Sequence, residues 1–126
     1  MENKFLGKLY EITLWKYNQC RDSTKRCTDE ALMEELVWQK QAYKMIFDIC
    51  NELHRKRKAI NLRYIFHVFD TTISKLEEWS FDFSKSGFDD ANPYVIMSDT
   101  VESVYDDFML CITERFNKED VLFYEF

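Results

Sequence analysis

Apolar residues recur every three to four positions through most of this chain, in four blocks separated by polar stretches. From about Glu2 to Cys20, the residues Phe5, Leu6, Leu9, Tyr10, Ile12 and Tyr17 share one broad helical face, with Leu14 and Trp15 flanking it. The polar run Arg21 to Cys27 predicts a connector. Thr28 follows as an expected N-cap, and the charges of Asp29 and Glu30 suit the positive end of a helix. The second stripe reads Leu32, Leu36, Tyr43, Ile46, Cys50 and Leu53, with Met33, Val37 and Phe47 beside it. Basic residues are favourable in a last helical turn, so the run Arg55-Lys56-Arg57-Lys58 places a boundary near Lys58 to Asn61.

The third stripe, Leu62, Ile65, Phe66, Phe69, Ile73 and Leu76, holds helical spacing to about Trp79. Beyond it, Ser80 to Asp90 reads as one long loop, near 80–92. Asn92 before Pro93 is a competent helix start, since proline at the first helical position loses no intrahelical bond. Tyr94 to Met97 is expected as one short turn. Asp99 and Glu102 have the spacing of a capping box, so the main C-terminal helix is expected from Asp99. It carries Val101, Val104, Tyr105, Phe108, Cys111, Ile112 and Phe116 on one side and Asp99, Glu102, Asp106, Asp107 and Glu114 around the other. The tail Val121 to Phe126 is too aromatic for a free terminus and is expected to dock on the bundle or on a partner.

Composition agrees with these elements. With 126 residues and 46% hydrophobic content, one domain spanning 1–126 can bury about two thirds of its unfolded surface. Two glycines and one proline are too few for the tight turns of a β-sandwich or barrel. The expectation is an all-α, single-domain bundle of about four main helices. No apolar run approaches a membrane span and no secretory signal opens the chain, which points to the cytoplasm. The widely spaced Cys20, Cys27, Cys50 and Cys111 fit free thiols there.

Charge changes the picture further. The net −6 hides segment balances of +3 for 1–27, −4 for 28–54, +5 for 55–76 and −10 for 77–126. Glu102 and Asp106 form a like-charge pair four residues apart, which costs an isolated helix about 0.2–0.5 kcal/mol. Such an acidic face steers cationic partners as readily as it simply solvates a helix. The opposite cluster, Arg55 to Lys58 with Arg63, has the charge to meet phosphate, with Tyr64, Phe66 and His67 near enough to stack on bases. It equally complements a helix end.

Catalytic signatures are missing. The chain has no glycine-rich phosphate loop, His-Glu-x-x-His, Cys-x-x-Cys or Gly-x-Ser-x-Gly. A zinc set of Cys20, Cys27, Cys50 and His54 can be drawn, but its spacing is not that of a knuckle and Cys50 falls on an apolar stripe. Adjacent carboxylates such as Asp106 and Asp107 diverge by about 100° on a helix. The expectation is a binding protein, not an enzyme, with no metal and no cofactor.

In size, acidity, aromatic richness and lack of catalytic motif, and in the segments Ser80 to Asp90 and Asp99 to Asp120, the chain resembles bacterial immunity proteins that neutralise nuclease toxins, including those of contact-dependent growth inhibition. The resemblance implies an inhibitor that covers the basic, RNA-facing cleft of a cognate toxin. Asp82, Asp89, Asp90, Glu102, Asp106 and Asp107 would then be electrostatic contacts, with Phe83 and Phe88 as anchors. Three other readings stay open: a phage- or virus-encoded mimic of nucleic acid that blocks a host enzyme, a small nucleic-acid-binding bundle using 55–63, and a helical adaptor that oligomerises through its aromatic tail.

Overall fold

The computed structural model describes residues 4–55, 62–85 and 92–115. Four helices account for nearly all of them: α1 (Lys4–Arg26), α2 (Glu30–Arg55), α3 (Leu62–Lys85) and α4 (Pro93–Arg115), with no strand among the described residues. The chain is an all-α bundle. No described helix is long and apolar enough to cross a membrane.

α1 runs through the expected connector to Arg26. Thr24 Oγ1 donates to the Cys20 carbonyl at 2.8 Å, and Lys25 and Arg26 sit where the helix dipole favours cations. The cap of α2 is Asp29, not Thr28. Its carboxylate accepts from the Ala31 and Leu32 amides at 2.9 and 3.4 Å, and its full charge meets the positive helix end. α1 and α2 form an antiparallel hairpin: Tyr10 and Tyr17 pack on Phe47 at 5.2 and 5.7 Å, and the buried Cys20 thiol donates to the Leu36 carbonyl at 3.4 Å. Leu32 departs from the expected core stripe and is 47% exposed. It lies one turn outside the Cys20–Leu36 contact, opposite the end of α1 where the sequence turns to the polar Ser-Thr-Lys-Arg.

α3 also continues past its expected end, so Ser80 to Lys85 are helical and not loop. The extension is held from α4. Asn92 caps α4 by accepting from the Tyr94 amide at 3.0 Å, and its Nδ2 donates to the Ser80 carbonyl and hydroxyl at 2.9 and 3.0 Å. With Asn92 and Pro93 starting α4, Tyr94 to Met97 are its first turns, and Asp99 and Glu102 lie within it and do not cap it. Thr100 Oγ1, returned to the Ile96 carbonyl at 2.7 Å, runs across the expected break. The remainder of the expected loop, 86–91, and the tail whose docking was expected, 116–126, lie outside the described residues.

α4 organises the bundle. Its inner side, Met97, Val101, Val104, Phe108 and Ile112, is buried, and it packs against all three other helices, whereas α3 packs chiefly against α4. Phe66 and Phe69 meet Tyr105 and Phe108 at ring separations of 5.0 to 6.4 Å, and Trp79 and Phe83 meet Tyr94 at 5.9 and 6.1 Å. The expected residues Phe5, Leu6 and Leu9 of α1, Leu36, Tyr43, Ile46, Cys50 and Leu53 of α2, and Leu62, Ile65, Phe69 and Leu76 of α3 join it in the core, with Cys20 and Ala42.

Candidate protein-binding face

With its inner side against the core, α4 turns Asp99, Glu102 and Asp106 to solvent. Their three- and four-residue spacings align them on one face, and all three are exposed. The ion pairs among the described residues are Lys8–Glu11, Lys16–Asp107 and Arg21–Asp22, so none reaches this stripe. From Asp99 to Asp106 it runs about 10 Å along the axis, at 1.5 Å per residue.

Asp107 has another role. It is half-buried toward α1, where Lys16 Nζ lies 2.6 Å from its carboxylate and also donates to Ser103 Oγ at 3.4 Å. It is a strut between two helices. A groove of about 370 Å³ opens beside it, lined by Lys8, Glu11, Ile12 and Trp15 of α1 and by Asp107, Leu110 and Cys111 of α4. Trp15 is 61% exposed there and Leu110 57%. Lys8 of the groove is matched by Glu11, and Lys16 beside it by Asp107.

The expected aromatic–acidic loop is described only in part. Asp82 is exposed on α3, while Phe83 is half-buried with its ring edge-on to Tyr94, so it serves the α3–α4 seam. About 12 Å of helix axis separates Tyr94 from Glu102. Phe81 is the more exposed aromatic of this segment, with the Lys85 ammonium 4.3 Å over its ring. Phe88, Asp89 and Asp90 lie outside the described residues, as do Lys56, Arg57 and Lys58 of the basic cluster. Of the expected contacts, the structure therefore brings Glu102 and Asp106 together, adds Asp99 to them, and assigns Asp107 to an internal pair.

The titrating groups follow their surroundings. Burial pushes the Cys50 thiol up to about 12, and burial also raises Cys20, partly opposed by Lys40. Both thiols are protonated near neutrality and poor nucleophiles. Tyr105 is raised by burial first and then by Asp70 and Asp106; Tyr43 is raised by burial, then by Cys20 and Asp107. In the zinc set drawn from the sequence, Cys50 is fully buried while His54 is exposed. Among the described residues, no three His, Cys, Asp or Glu side chains gather closely enough to hold a metal ion.

The groove draws on residues that the sequence reading left apart. Trp15 stood beside the apolar face of α1, a large aromatic with no place on the core stripe, and that is the signal for it. Leu110 carries no comparable signal, because its place in the groove follows from the pairing of α1 with α4. Searches with this chain find no matching protein family, curated protein or solved structure.

Proposed function

We propose that this chain is a protein-binding inhibitor that covers a basic surface of another protein, in the manner of an immunity protein neutralising a nuclease toxin. The observation that carries the reading is the exposed stripe Asp99, Glu102 and Asp106, which makes no ion pair among the described residues and has the exposed Leu110 one turn beyond it. Carboxylates left without internal cations raise the rate of encounter with a cationic surface and suppress anionic partners. Apolar side chains beside them supply the water-excluded contact that holds a complex once formed.

The test is a tagged pull-down from the native host at low and moderate salt, with an activity assay on what co-purifies. The expected result is one stoichiometric basic nuclease, silent in the complex and active once freed. With that partner purified, reversing Asp99, Glu102 and Asp106 together to lysine slows association by about tenfold or more at low salt, and by less as salt rises. Unchanged association in the triple variant overturns the reading. A nucleic-acid-binding host enzyme as the captured partner would favour the nucleic-acid mimic, which uses the same carboxylates.

A further inference from the structure

We infer that the α1–α4 groove receives an apolar anchor from a cationic amphipathic helix, whose basic residues lie along the acidic stripe of α4. The inference rests on the reading of the chain as a binder of a basic protein and adds where the partner's apolar contact falls and what secondary structure makes it.

Three observations select the occupant. The groove is lined by the apolar Ile12, Trp15 and Leu110, and its volume of about 370 Å³ lies at the low end of the roughly 300–1,000 Å³ of ligand pockets, so it suits anchoring side chains better than an enclosed cofactor. Lys8 and Lys16 are each paired with a carboxylate, so the flanking field belongs to Asp99, Glu102 and Asp106. Leu110 follows Asp106 by four residues, so stripe and groove rim lie on one line along α4. An occupant spanning both must carry cations over about 10 Å and an apolar group at one end, which an amphipathic helix in a groove provides. Charge disfavours the competitors. Nucleic acid and anionic lipid are repelled by the stripe, and a second copy packed stripe to stripe would bring the same carboxylates against themselves.

Cys111 lines the groove and is half-buried, whereas Cys20 and Cys50 are buried. Replacing the other partly exposed thiol, Cys27→Ser, makes Cys111 a footprint for the groove. The probe is a synthetic helical peptide with leucines on one face and lysines on the rest; its controls are the glutamate-for-lysine version and a scrambled lysine peptide. Saturating lysine peptide is expected to slow alkylation of Cys111 by about tenfold, in line with steric cover of a lining thiol, while neither control protects it. Trp15→Ala, at a largely exposed position, is expected to weaken the peptide by about tenfold while leaving the denaturation midpoint nearly unchanged. If the lysine peptide binds and is lost on charge reversal of the stripe, yet Cys111 reacts at its free rate and Trp15→Ala changes nothing, the groove is overturned while the acidic-face reading stands. If the lysine peptide does not bind, or the glutamate peptide protects equally, the groove is also overturned, and the host pull-down decides the broader reading separately.

Discussion

On its α3 side, α4 meets its neighbour through Phe66, Phe69, Tyr105 and Phe108, stacked at 5.0 to 6.4 Å; on its α1 side it meets a lysine, at 2.6 Å from Asp107, with an open groove next to it. Rings that interlock edge to face exclude water and fix the spacing of two helices. An ion pair half in solvent sets a distance but fills little volume, and the surface beside it stays accessible. The same helix thus has a flank closed by packing and a flank left open to solvent. The same contrast bears on Phe83, expected as an anchor: its ring is engaged with Tyr94, in the α3–α4 seam.

The contrast can be broken most forcefully at Phe108, which is fully buried where α3 and α4 meet. Phe108→Ala is expected to cost about 3–5 kcal/mol, measured by chemical denaturation, and a loss below 1 kcal/mol would mean that the aromatic seam is not what closes the bundle. Alkali provides a second, smaller strain on the closed interior. Burial raises Cys50 and Tyr105 above the ordinary 9.0 and 10.0, so the folded state keeps protons that the unfolded chain releases. Their contribution is intact below those ordinary values and is lost as pH rises, in the case of Cys50 until about 12. Denaturation midpoints should hold level from neutrality to about pH 8 and then fall, with Cys50 adding a slope of up to about 1.4 kcal/mol per pH unit between its two values. Cys50→Ala should flatten that slope, and an unchanged slope would remove Cys50 from the account. The smallest effect belongs to the open flank. A double-mutant cycle on Lys16→Met and Asp107→Asn is expected to return a coupling of about 0.2–1 kcal/mol, shrinking in salt. A coupling as large as the Phe108 loss would erase the distinction between the two flanks.

The core was legible because burial repeats: the stripes through Leu36 to Leu53, Leu62 to Leu76 and Val101 to Ile112 each keep one face inward, and the spacing alone reveals that face. Helix ends were not, since they depend on contacts from elsewhere. Ser80 to Lys85 reads as loop in isolation, and becomes helix where Asn92 bonds Ser80 and Tyr94 receives Trp79 and Phe83. Asp99 has the chemistry of a cap, but a helix already begun at Pro93 passes through it. On the candidate face, Glu102 and Asp106 were legible as a like-charge pair on one side of a helix. That Asp107 would leave them for Lys16, and that Trp15 would share a groove with Leu110, required knowing which helix stands beside α4.

The place of α4 as common neighbour also has a temporal side, because it is synthesised after the three helices that lean on it. α1 and α2 are joined by a three-residue turn and can pair as soon as both have left the ribosome. α3 has its principal packing surface on a helix not yet made, so Phe66 and Phe69 face water for an interval on the order of a few seconds at about 5–20 residues per second. During that interval the nascent chain presents an aromatic surface to chaperones and to other nascent chains, and the arrival of Tyr105 and Phe108 ends the exposure.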